Sequence, residues 1–150
     1  MEKRTNLLAK GQDALKPLFA AGNYLKNSRI EKSLQELVKT RVSQMNGCAY
    51  CLDMHWKDAR ATGETEQRLY GLSAWKESPY YSERERAALQ WAEAVTICKV
   101  PDAVYAATKQ HFNEEELIDL TMVVTVINTW NRLNISFPKT AGTYQVEQWG

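Results

Sequence analysis

The chemistry-bearing residues of this chain are concentrated in one stretch, Met45 to Arg60, MNGCAYCLDMHWKDAR, which holds Cys48, Cys51 and His55. If the stretch is helical, each residue advances by about 100° and 1.5 Å. Cys48 and Cys51 then lie roughly 60° apart and one turn along the axis. His55 lies about one further turn on, roughly 40° from Cys51. Two thiols within disulfide reach, with an imidazole on the same face, make a redox site provided the thiols are accessible. A zinc site is the second reading, and it needs a fourth ligand, for which Cys98 and His111 are the candidates. The haem-attachment motif C-x-x-C-H is absent.

The helical reading rests on punctuation. Asn46-Gly47 is a turn signal before the stretch, no proline interrupts it, and Gly63 stands where a C′ residue is expected. The helix is predicted from about Cys48 to Ala61, with the cysteines at its N-terminus. Unpaired N–H groups and the helix dipole there favour thiolate over thiol. That argument favours Cys48 as the nucleophile, whereas the spacing to His55 favours Cys51. A base one turn away can both promote the thiolate and supply the leaving alkoxide with a proton.

The whole chain sets the frame. Its 150 residues fit one domain spanning 1–150. It is 44% hydrophobic and 25% charged, enough to bury a core without a cysteine framework. Net charge is +1, from 19 basic and 18 acidic residues, with no block of like charge. Nucleic-acid and acidic-membrane binding have no electrostatic support. The N-terminus has scattered charge and no signal-peptide run, and no window approaches a membrane span. Three cysteines in a chain that reads as cytoplasmic point to metal or redox chemistry rather than structural disulfides.

Hydrophobic spacing predicts helices throughout and no strand. Asn6 to Tyr24 forms a first helical segment, bent or divided by Pro17 and stopped at Gly22-Asn23. Ser28 is the candidate cap of a helix from Ile30 to about Gln44. Its stripe is Leu34, Leu37, Val38, Val42 and Met45, with Glu36, Thr40 and Ser43 on the opposite face. A short helix covers about Glu64 to Leu72, and a loop runs through Pro79-Tyr80-Tyr81. Ser82 and Glu85 form a capping box for a helix to about Cys98. Pro101 falls in a first turn, and Val104 to His111 reads as helix. Asn113 and Glu116 cap a last helix, about Glu114 to Leu133. It is apolar nearly all round from Leu117 to Ile127, hence central to a core or covered by another subunit. Ser136 to Gly150 reads as a tail. The fold class is all-α.

These residues resemble the carboxymuconolactone decarboxylase and AhpD-like alkylhydroperoxidase family, over roughly residues 31–133. The core of the resemblance is RVSQMNGCAYCLDMHWKDARATGET, supported by WKESP, SERERAAL and NTWNRLN. The family's peroxidase signature is a Glu, eleven residues, then C-x-x-C-x-x-x-H. Glu36, Cys48, Cys51 and His55 match it at every position. The resemblance implies an AhpD-like helical thiol peroxidase, a homotrimer or hexamer, with no metal or organic cofactor. Its substrate would be a hydroperoxide, and its reductant a dithiol or a thioredoxin-like protein. Cys51 would attack, Cys48 would resolve, and Glu36 with His55 would relay the proton. One position departs from the alkylhydroperoxidase branch, which often has His just before the second cysteine. Here it is Tyr50, and a phenol is a poor proton shuttle at neutral pH. Two other readings follow: a thiol–disulfide adaptor or sensor that reacts slowly with peroxide, and a lactone decarboxylase-like enzyme using His55 as acid or base. The lactone decarboxylase branch lacks the cysteine pair.

Read without the resemblance, Glu36 sits on a face that is expected to be solvent-exposed. Packed over the cysteine helix it would be a buried carboxylate with a raised pKa. Cys98 reads as a small buried hydrophobe, His111 as a structural residue at a helix end, and Trp56 as a wall of the pocket.

Overall fold

The computed structural model describes residues 4–146. Residues 1–3 and 147–150, the outer ends of the charged N-terminus and of the tail, lie outside the described residues. Among the described residues there is no strand, as hydrophobic spacing predicts. No helix is long and apolar enough to cross a membrane.

The chain opens with a single turn, α1 (Leu7–Lys10), and then α2 (Gln12–Lys26). The break between them falls at Gly11 and not at Pro17. A Cβ at position 11 would stand 2.8 Å from the Leu7 carbonyl oxygen, so only glycine fits that turn. Pro17 sits inside α2 on its exposed side, where water can reach the carbonyl that loses its N–H partner. Nor does α2 stop at Gly22-Asn23. It continues until Leu25 is buried against the core, because packing outweighs weak local propensity.

α3 (Lys32–Asn46) is the organising helix, and it starts and ends two residues later than the sequence signals suggest. Its cap position is Glu31. The Ser28 hydroxyl instead accepts from the Ile30 N–H and the Gln35 side-chain amide. Leu34, Val38 and Val42 face one core, built with Ala88, Trp91 and Ala92 of α6 and with Leu117, Leu120, Val123, Val124 and Ile127 of α8. Here α6 is Glu83–Thr96 and α8 is Glu114–Ser136. Leu37 faces a second, smaller core with Leu72, Trp75, Tyr81 and Leu89. Enclosed on several sides by neighbouring helices, α3 also buries Glu36, Thr40 and Ser43, the face expected to meet solvent.

The turn after α3 is two residues long. Gly47 adopts a left-handed φ of 69°, and the Gly47 and Cys48 N–H groups close the last turn on Gln44 and Ser43. The next helix, α4 (Ala49–Ala61), therefore folds straight back on α3. Its end at Gly63 follows the sequence signal, with Gly63 at φ 95° and the Glu64 N–H on the Ala59 carbonyl.

α5 (Glu66–Tyr70), capped by Thr65, and a 3₁₀ turn at Gly71–Ala74 replace the single short helix expected. The Ser82/Glu85 and Asn113/Glu116 capping boxes are both formed, at the starts of α6 and α8. α6 ends before Cys98, which takes a left-handed φ of 56° beyond the helix and is exposed rather than buried. α7 (Asp102–Lys109) starts and ends two residues early, with Pro101 at the cap. α8 runs three residues past Leu133. It buries an inner face and leaves Ile118 and Met122 exposed on the outer one.

The described residues after α8, 137–146, are not a free tail. The Gly142 N–H donates to Asp53, and the Lys57 ammonium donates to the Tyr144 carbonyl. Tyr144 is buried, and its hydroxyl donates to Asp58. The segment is strapped along α4 by polar contacts that hydrophobic periodicity does not encode.

Candidate functional site

The two-residue turn at Gly47-Cys48 makes α3 and α4 a helical hairpin. Glu36 lies roughly 16 Å back along α3 from that turn, and His55 roughly 12 Å along α4. The two side chains therefore meet across the hairpin, and His55 Nδ1 lies 2.8 Å from Glu36 Oε2. The long spacing between Glu36 and the cysteines is the length of chain needed to go up one helix and return along the other.

Cys48 is the residue immediately before the first turn of α4, and its Sγ accepts the Cys51 N–H at 3.3 Å. The pair forms a disulfide, with the Cα atoms 5.3 Å apart. Both residues are buried, Cys48 at 2% and Cys51 at 0% exposure. The structure thus brings together all four residues of the signature: a disulfide at a helix N-terminus, and an imidazole–carboxylate pair one turn further along.

Glu36 is a buried carboxylate, 5% exposed, but its pKa moves opposite to the sequence expectation. Burial by itself pushes it up. The charges and hydrogen bonds of His55 and Lys39 outweigh that and hold it at about 2, below the usual 4.5. The Lys39 ammonium donates to Glu36 Oε1 at 2.9 Å. Glu36 therefore remains ionised and fixes the His55 ring from its Nδ1 side.

Four further residues complete the site, none of them singled out in the sequence. Lys39, one turn after Glu36, neutralises it. Asp58, one turn after His55, lies close enough that a polar atom from each of Glu36, His55 and Asp58 falls within 4.8 Å of the others. Burial raises the Asp58 pKa, the Tyr144 hydroxyl lowers it, and the Glu36 charge raises it again. Asn134 of α8 is buried and reaches Cys51, with its Nδ2 3.6 Å from Sγ. Tyr144 arrives on the strapped C-terminal segment. Lys39 and Asp58 share a signal, the one-turn spacing from a matched residue. Asn134 and Tyr144 have no such signal.

A carboxylate–imidazole–carboxylate set can hold a metal ion. Here Lys39 occupies Glu36, Tyr144 occupies Asp58, and His55 bonds Glu36 directly. The zinc alternative drawn on the cysteines loses its thiolates to the disulfide. Cys98 and His111, its candidate fourth ligands, stand beyond the ends of α6 and α7.

A cavity of about 570 Å³ opens against the cluster. Tyr50, His55, Asp58 and Asn134 line its polar side. Leu18, Phe19, Leu25, Met54, Ile127 and Trp130 line the apolar side. His55 Nε2 is buried there and has no hydrogen-bond partner. Trp56 is not part of this wall. It borders a separate depression of about 350 Å³ with Leu52, Leu69 and Tyr70.

The chain is similar to known proteins in both sequence and fold. The sequence profile of the carboxymuconolactone decarboxylase family matches residues 12–94. The chain is 42% identical to the uncharacterized protein YdfG of Bacillus subtilis over 146 residues, covering 95% of this chain and 99% of YdfG. A solved structure from Agrobacterium tumefaciens, ATU0492, is named for AhpD and antioxidant defence. It superposes with a TM-score of 0.90 at 38% identity, over 95% of this chain and 100% of that one. A peroxidase-related protein from Silicibacter sp. TM1040 shares the fold, with a TM-score of 0.79 at 23% identity, over 93% of this chain and 75% of its own. The AhpD-like fold, the cysteine pair and the matched profile place this chain in the carboxymuconolactone decarboxylase family.

Proposed function

We propose that the protein is a thiol-dependent peroxidase that reduces organic hydroperoxides with the Cys48/Cys51 pair. The observation that carries the reading is the buried Cys48–Cys51 pair with the His55–Glu36 contact one turn further along α4. In the reduced protein the Cys51 thiol gives its proton to His55. The thiolate attacks the distal oxygen of the hydroperoxide, forming an S–O bond and breaking the O–O bond. The alkoxide leaves with the proton from His55, as the alcohol. The Cys48 thiol then attacks the Cys51 sulfenic acid. The S–S bond forms, and the hydroxyl leaves as water with the Cys48 proton. A dithiol reductant reopens the disulfide by exchange and becomes a disulfide itself. Both sulfurs lie below the surface, which favours a small dithiol over a protein as the reductant.

Ionised Glu36 stabilises the imidazolium formed in the first step, and Asn134 supplies a donor to the Cys51 sulfur. Tyr50 lines the cavity beside Cys51, with Lys139 Nζ 5.0 Å from its ring centre. The proposed relay runs through His55 and Glu36, whose contact does not involve Tyr50. We also propose a homo-oligomer, with the exposed Ile118 and Met122 of α8 within a subunit contact. Stopped-flow oxidation of reduced protein by cumene hydroperoxide tests the reading. Loss of two thiols per chain, with a Cys48–Cys51 bond found by mass spectrometry, supports it. Cys51→Ser should abolish turnover, and full activity in that variant refutes the mechanism.

A further inference from the structure

Two observations meet at the larger cavity. The first is an unmet polar atom. His55 borders the cavity and is only 7% exposed, and among the described residues its Nε2 has no hydrogen-bond partner. A buried polar nitrogen costs stability unless something bonds to it. The other ring nitrogen is committed, because ionised Glu36 accepts from Nδ1–H at 2.8 Å. In the neutral ring Nε2 is then a bare acceptor, and in the charged ring it is a donor. A hydroxyl suits both states, since it donates to the first and accepts from the second. A carbonyl suits only the charged ring, and an ammonium only the neutral one. The two neighbouring acids are already engaged: Lys39 donates to Glu36, and the Tyr144 hydroxyl donates to Asp58.

The second observation is the surface of the space. A volume of about 570 Å³ is large beside the roughly 150 Å³ that holds one benzene ring, so it has room for a body of about two or three rings. Phe19 of α2 and Trp130 of α8 line it side by side, with ring centres 5.5 Å apart and planes tilted by 52°. Tyr50 and Met54 border it from α4. Ring faces, ring edges and a thioether are good partners for a flat aromatic ligand.

We propose that the cavity binds a neutral aromatic alcohol or phenol of two or three rings, with its hydroxyl on His55 Nε2 and its rings against Phe19, Trp130 and Met54. This binding does not depend on the disulfide being reactive. Resting on the peroxidase reading, the substrate is a hydroperoxide of the same aromatic body. Its O–H takes the place of the hydroxyl, and the alcohol it leaves competes with it for the site.

The decisive experiment measures binding without chemistry. Equilibrium dialysis compares 2-naphthol with 2-methoxynaphthalene on the oxidised protein. The ether has the same rings and a more apolar body but no O–H. Naphthol should bind about fivefold more tightly, the size of one net hydrogen bond. Equal affinity, tighter binding of the ether, or no saturable binding of either overturns the proposal. Side-chain NMR locates the ligand, because the chain has only two histidines, His55 and His111. Naphthol should move the His55 signals and leave those of His111, identified with the His111→Gln variant, in place. Unmoved His55 signals overturn the proposal. Phe19→Ala changes a residue that is 40% exposed and should weaken naphthol several-fold with an unchanged circular dichroism spectrum. Undiminished affinity in that variant counts against the aromatic wall. Thiol oxidation by cumene hydroperoxide separates this from the peroxidase reading. Naphthol binding without thiol loss leaves the binding site standing and removes the peroxidase. Thiol loss without naphthol binding does the reverse.

Discussion

Glu36 Oε2 and His55 Nδ1 stand 2.8 Å apart, joining α3 to α4 at a point where both side chains are more than nine-tenths buried. The contact orients the ring and supplies the charge that an imidazolium needs. Glu36→Gln keeps the size and removes the charge. It should slow peroxide-driven thiol loss by about 10²-fold, the lower end for a positioned acid–base group. The pH–rate profile is the discriminating readout, because loss of a carboxylate in contact with the acid–base group should displace it. A uniform loss of rate with an unmoved profile would assign Glu36 a structural role.

Asn134 reaches Cys51 from α8, with its Nδ2 3.6 Å from the sulfur. A donor beside a thiolate stabilises the charged form. Asn134→Leu should lower the alkylation rate of Cys51 in the reduced protein at neutral pH by about tenfold. The rate should recover at alkaline pH. Iodoacetamide kinetics across pH test this, and an unshifted profile argues against the contact.

Acid stability follows from Glu36. Its pKa falls from 4.5 to about 2 on folding, so the folded state holds fewer protons than the unfolded chain between those values. Stability from this group is complete above pH 4.5 and is lost as pH falls toward 2. Asp119, Glu93 and Glu116 are also held low, so Glu36 contributes only part of the slope. Urea unfolding between pH 6 and pH 2.5 should give a shallower decline for Glu36→Gln than for the parent. Equal slopes would mean that the His55 and Lys39 contacts do not hold the charge.

The C-terminal strap can be tested at Tyr144, whose hydroxyl donates to Asp58 at 2.7 Å. Tyr144→Phe removes one hydrogen bond, about 1 kcal/mol, or about 3 °C in Tm for a chain of this size. Amide exchange should rise in the segment around Gly142 while the centres of α3 and α8 remain protected. Faster exchange throughout the molecule would mean that Tyr144 supports the whole core and not the strap alone.

The sequence by itself determined the helical class, both capping boxes, the turn at Gly47 and the one-turn spacing of Cys48, Cys51 and His55, while Glu36 joined them only through the family resemblance. These depend on neighbours in the chain: side-chain oxygens satisfying nearby N–H groups, a glycine relieving a left-handed φ, and residues spaced one turn apart. Where it misplaced helix ends, at Pro17, Gly22 and Ser28, local propensity was set against burial, and burial prevailed.

Only the tertiary structure decided what those residues experience. Glu36 lies opposite the apolar stripe of α3 and reads as a surface residue. It is buried because α4 folds back over that face, and it is charged because Lys39 and His55 arrive there with it. Asn134, Asp58 and Tyr144 enter the site from α8, from α4 and from the C-terminal strap. Two of these three lie more than eighty residues from Cys51 in the chain, and hydrophobic periodicity has no term for a hydrogen bond between distant polar groups. The cavity has the same origin. Its walls come from α2, α3, α4, α8 and the segment after α8, and they enclose a space only once packing has brought them together.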